Sequence, residues 1–117
     1  MGNTLRFTRK AVKRYNWFLT NYPELARKDA REYSELIFDL MTILKDYTKE
    51  LSVKYNKYCM KNYAILYFSK DNIFLRCRKK RYVKIINKYE EKFEEIEVLN
   101  ENLKLILIKF QQFIVFS

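Results

Sequence analysis

One glycine and one proline in 117 residues leave this chain few ways to turn sharply. Glycine supplies left-handed backbone and proline presets turn geometry, and tight β-hairpins recruit both. With only Gly2 and Pro23 as breakers, a multistranded sheet lacks its connections. The chain therefore predicts an all-α fold with few interruptions. Hydrophobic residues make up 49% and aromatics 17%, too much for disorder. The length suits one helical domain over residues 1–117.

Periodicity divides that domain. Over residues 4–20, Ala11, Val12, Tyr15, Phe18, Leu19 and Tyr22 recur at three- and four-residue steps, while Arg6, Arg9, Lys10, Lys13 and Arg14 take the other side of a helix. Asn21-Tyr22-Pro23-Glu24 ends it. Pro23 is tolerated in the first turn of a following helix, Asn21 or Tyr22 is its expected cap, and Glu24 suits the positive end of the helix dipole. From about 23 to 68 the pattern predicts one long helix. Tyr33, Ile37, Leu40, Leu44, Tyr47 and Leu51 form its seam, broadened by Leu36, Met41 and Ile43.

A second long helix is predicted over 72–117, where Tyr82, Ile86, Tyr89, Phe93, Ile96, Leu103 and Phe110 keep helical spacing. The segment 63–77 is open to two readings. Ser69-Lys70-Asp71-Asn72 fits a turn between helices, with Ser69 or Asp71 as a cap, or the loop of a short β-hairpin. The regular spacing that follows favours the helical turn at 69–72. The two long helices then pair antiparallel as a helical hairpin or bundle. So thin a core predicts kinking into a compact bundle or a homo-oligomer. The apolar stretch 103–116, through Leu103, Leu107, Phe110, Phe113 and Ile114, is the expected dimer contact, and Trp17 an exposed interface anchor.

Charge is segregated along the chain. Lys and Arg number 24 against 14 Asp and Glu, a formal +10. Residues 1–23 carry five basic side chains and no acidic one; residues 54–88 carry eleven against Asp71 alone. Residues 24–53 and 89–117 are mildly acidic. An antiparallel pair places 54–68 beside 73–88 and concentrates positive charge near the turn. Arg76, Lys80 and Lys84 share one helix face there, extended by Arg78, Lys79, Arg81 and Lys88, with Lys57 and Lys61 on the preceding helix. Arginine and lysine in such a row can follow a phosphate backbone, and Tyr55, Tyr58, Tyr63 and Tyr67 offer stacking surfaces for unpaired bases. Arg9 and Lys13 are candidates for a second phosphate-binding element.

The sequence thus predicts a small basic nucleic-acid-binding protein, for DNA or RNA. The alternative is a protein-interaction module, a host-factor inhibitor or assembly subunit, gripping an acidic protein partner. The basic first helix also fits a membrane-surface role through Trp17 and Phe18, or simple docking on the long pair.

Enzyme chemistry is not expected. No histidine is present, Gly2 is too isolated for a phosphate-cradling loop, and Ser34, Ser52 and Ser69 have no base beside them in the pattern. Glu90, Glu91, Glu94, Glu95, Glu97 and Glu101 lack the histidine that helical carboxylate metal sites add, and read as a solvated face. Cys59 and Cys77 read as two semi-buried thiols in a reducing compartment, so neither a metal nor a cofactor is expected. No secretory signal, myristoylation pattern or transmembrane run is legible, which predicts a cytoplasmic, host-cell or virion location. The Lys, Asn, Ile and Tyr bias resembles that of proteins from AT-rich genomes, which include many phages and archaeal viruses, and is a matter of composition alone.

Overall fold

The computed structural model describes the backbone of residues 3–68 and 73–115, and the side chains of 3–65 and 76–114. Four helices follow one another: α1 (Asn3–Asn21), α2 (Pro23–Lys28), α3 (Ala30–Phe68) and α4 (Ile73–Val115). The fold is all-α, with no strand among the described residues. Residues 63–68 and 73–77 are helical, which removes the β-hairpin reading there; the expected turn at 69–72 lies outside the described residues.

The breaker at Pro23 acts as the sequence implies. The Tyr22 amide donates to the Phe18 carbonyl at 2.8 Å and closes α1, and the Tyr22 carbonyl accepts from the Ala26 amide at 3.0 Å and opens α2. Tyr22 is the N-cap and makes no side-chain cap hydrogen bond. Asn21 stays inside α1, where its Nδ2 donates to the Trp17 carbonyl.

The expected helix from 23 to 68 is interrupted at Asp29, where φ is −104° and ψ is 23°. Aspartate is a weak interior helix former because its side chain competes for nearby backbone groups. The departure costs little, since the Asp29 amide still donates to Leu25 and its carbonyl still accepts from Tyr33, both at 3.1 Å. Ala26 and Ala30 flank this corner and are almost completely buried.

The chain forms two compact units: Met1–Tyr47 with Ile96–Ser117, and Thr48–Glu95. In the first, α1 and α2 pack with the start of α3 and the end of α4. Leu5, Thr8 and Val12 of α1, Ile37, Leu40 and Leu44 of α3, and Leu103, Ile106 and Phe110 of α4 are buried. Leu5 and Thr8 extend the α1 stripe earlier than its apolar spacing indicated. Thr8 tolerates burial because its hydroxyl donates to the Thr4 carbonyl at 2.8 Å. Aromatic rings tie these helices together: Tyr33 stacks on Phe110 at 5.3 Å, and Tyr15 meets both edge-on. Burial raises the Tyr15 hydroxyl above the usual tyrosine range, reinforced by Tyr33 and opposed by Arg14.

Leu36 and Ile43 do not broaden the buried seam of α3; both are exposed. Leu103 to Phe110, which alone would pass for a buried strand, is helical. Leu103, Leu107 and Phe110 fall inside the chain's own core, and Phe113 and Ile114 are half-buried. Of the five residues expected as a dimer contact, Leu103, Leu107 and Phe110 are thus buried within the chain itself, and the exposed apolar residues of this part of α4 are Val98, Leu105 and Ile108.

The second unit is different in kind. Among its described residues only Leu51 is buried, and the seam of Tyr55, Tyr58, Ile65, Tyr82, Ile86, Tyr89 and Phe93 is half-buried. Two helices alone cannot surround a side chain, so these rings remain open at the edges of the pair.

Candidate nucleic-acid interface

Residues 48–95 contain 13 basic and six acidic side chains. On α4, Tyr82, Ile85, Ile86, Tyr89 and Phe93 turn inward, while Arg76, Arg78, Lys79, Lys80, Arg81, Lys84 and Lys88 are all exposed. On α3, Lys54, Lys57 and Lys61 are exposed at three- and four-residue steps and share one flank. Among the described residues no ion pair holds Arg78, Lys79, Lys80, Arg81, Lys84 or Lys88.

The ring contacts fix which flanks adjoin. Tyr58 leans toward the lysine side of α3, and its ring lies 6.0 Å from both Tyr82 and Tyr89. Tyr55 leans the other way, meeting Phe93 at 5.4 Å and donating a 2.9 Å hydrogen bond to Glu90 Oε1. At 100° per residue, the side of α4 that adjoins Tyr58 leads round to Arg81, Lys88 and Lys92. The lysine row of α3 and this basic row of α4 therefore border the same edge of the pair. The Tyr58, Tyr82 and Tyr89 rings lie between them.

Two cations already sit on these rings: the Lys61 ammonium is 5.5 Å from the Tyr58 centroid, and that of Lys92 is 5.7 Å from Tyr89. The opposite edge carries Glu90, which accepts the Tyr55 hydrogen bond.

The sequence had gathered the cations into one patch; the structure sorts them. Arg81 and Lys88 face the tyrosine edge, and Arg78 stands beyond Tyr82. Lys80 and Lys84 lie on the outer face of α4, and Lys79 on the Glu90 side. Lys54, Lys92, Tyr82 and Tyr89 join the edge, although the sequence pattern placed the two tyrosines only in the packing seam. Their seven-residue spacing was the available signal, but a seam tyrosine and an accessible one share it. Tyr63 is exposed, and the Tyr67 side chain lies outside the described residues.

Arg9, Lys13 and Trp17 belong to the other unit. Arg9 Nε donates to the Leu5 carbonyl, and Trp17 is 57% exposed with its ring against Tyr22 at 5.4 Å. Cys59 is half-buried, whereas Cys77 is exposed, contrary to its expected semi-burial; both are free thiols. Among the described residues no three Cys, Asp or Glu side chains converge as metal ligands, and no helix is long and apolar enough to cross a membrane.

Tyr55 gives the acidic edge a measurable signature. Its hydrogen bond to Glu90, with a second to Cys59, pushes its pKa up to about 12. The folded state holds this proton more tightly than the unfolded chain. The stability it contributes is therefore complete below pH about 10 and is lost as the pH rises toward 12. Subtracting a Tyr55→Phe ultraviolet titration from that of the wild type should isolate a tyrosine ionising near pH 12. Glu90→Gln should return that ionisation toward the ordinary range. A wild-type difference curve centred near 10 would show that the Glu90 contact does not form.

Compared with known proteins, the chain matches no protein-family model, no curated sequence and no solved structure.

Proposed function

We propose that this protein is a non-enzymatic nucleic-acid-binding protein, and that residues 48–95 are its binding unit. The observation that carries the reading is one edge of a helix pair on which two cationic rows flank three half-exposed tyrosines. A phosphate backbone running along the cations gains affinity by releasing condensed counterions. The tyrosine faces add sequence-tolerant stacking, which an unpaired strand can use and a closed duplex cannot.

Fluorescence anisotropy with labelled single-stranded and duplex oligonucleotides over a salt series tests the proposal. Binding should weaken steeply as salt rises, with little dependence on base sequence. An absence of binding to either oligonucleotide at low salt would sink it. An acidic protein is the competing partner for the same edge, since it would also meet the cations. The absorbance ratio at 260 and 280 nm of the purified protein separates the two readings, because co-purifying nucleic acid raises it and an acidic protein does not.

A further inference from the structure

The first unit carries a feature that nucleic-acid binding does not use. A groove of about 490 Å³ runs between α1 and α3, with Phe7, Leu36, Leu40 and Ile43 along it and Lys10, Arg14 and Asp39 beside it. It continues past Lys13, Trp17 and Phe18. Phe7 is 59% exposed, and Leu36 and Ile43 are exposed by nearly half. Large apolar side chains gathered in this way mark an interaction surface.

The same unit presents a matching ridge. Val98, Leu105 and Ile108 of α4 are exposed at steps of seven and three, the spacing of a helical stripe. Glu97 and Glu101 stand beside them on the outward face. Lys104 is 3.5 Å from Glu101, but both side chains are well exposed, so this contact holds the carboxylate weakly. The stripe from 98 to 108 and the α1 wall from 7 to 17 each cover about 15 Å.

We propose that the groove of one copy receives the α4 stripe of a second copy. Three features favour this occupant: an apolar stripe for an apolar groove, equal lengths, and carboxylates for a wall on which Lys10, Lys13 and Arg14 outnumber Asp39. The residues lining the groove come from α1 and α3, and the stripe belongs to α4, so the contact joins two different patches. Such an interface is heterologous. Each added copy leaves one groove and one stripe free, and the protein assembles head to tail. The proposal stands apart from nucleic-acid binding and survives its failure.

Sedimentation or light scattering on nucleic-acid-free protein tests it. The wild type should grow beyond a dimer as its concentration rises. A stripe variant, Leu105→Lys with Ile108→Lys, should remain monomeric, as should a groove variant, Leu36→Lys with Ile43→Lys. All four positions are exposed, and circular dichroism checks that each variant keeps its helices. Mixed one to one, the variants should form a dimer and stop, because each keeps one intact surface. Lys10→Glu with Arg14→Glu should weaken assembly, and Glu97→Lys with Glu101→Lys in the partner copy should restore it. A wild type that stays monomeric at about 1 mM overturns the proposal, since binding weaker than that amounts to under about 4 kcal/mol. So does a closed dimer indifferent to both variants, or a variant mixture that fails to associate.

Discussion

Phe110→Ala should lower the unfolding free energy by about 3–5 kcal/mol, the range for truncating a buried aromatic. Phe110 has no solvent exposure, and its ring touches Tyr15, Tyr33 and Phe113. Removing it strips packing from α1 and α3 together and opens a cavity where rigid rings cannot collapse inward. A domain of this size is stable by only about 5–15 kcal/mol, so the variant should be marginal or unfolded at physiological temperature. Leu105→Ala, measured on protein dilute enough to be monomeric, supplies the control. It lies five residues away on the same helix but is 58% exposed, and should cost less than about 0.5 kcal/mol. Urea denaturation followed by circular dichroism measures both. Equal effects would mean that the burial pattern of α4 is wrong.

Reversing Lys57, Lys61, Arg81 and Lys88 to glutamate should reduce nucleic-acid affinity by about three orders of magnitude at 0.1 M salt. Each phosphate of a single strand that is no longer neutralised takes about 0.7 off the slope of log affinity against log salt concentration, and about that many log units off the affinity at 0.1 M. Four such phosphates should therefore flatten the slope by about three. The four side chains are exposed, so helix content should hold. The position of the charges matters as much as their number. Reversing Lys79, Lys80 and Lys84, which lie away from the tyrosine edge, should cost less per charge. A uniform loss for every cation reversed would leave only a diffuse electrostatic attraction and remove the edge as the site.

The helices were legible in the sequence because apolar residues at three- and four-residue steps fit no other regular backbone. Pro23 marked the start of α2 for the same local reason, its fixed φ and missing N–H. Asp29 escaped notice because aspartate interrupts some helices and caps or decorates others, and both backbone partners at 29 are ordinary helical ones. The candidate site was half legible. Lys57, Lys61 and the run from Arg76 to Lys88 announced a basic region, but not which members share an edge. That depends on whether Tyr58 leans toward Tyr82 or toward Phe93, a choice made by the pairing of two distant segments. The groove beside Phe7 was missed because Leu36 and Ile43 keep the spacing of seam residues.

What the sequence determined by itself is therefore the class of structure: long helices, their inward faces, and the crowding of positive charge into residues 54–88. Only the tertiary structure decided which apolar residues are covered. Periodicity fixes the direction a helix faces, whereas the number of neighbouring helices fixes how wide an arc of it is buried. Beside α1 and α3, the end of α4 hides Leu103 and Phe110 completely. Against α3 alone, its beginning leaves Tyr82 and Tyr89 half open, and residues with the same spacing become core in one unit and accessible surface in the other.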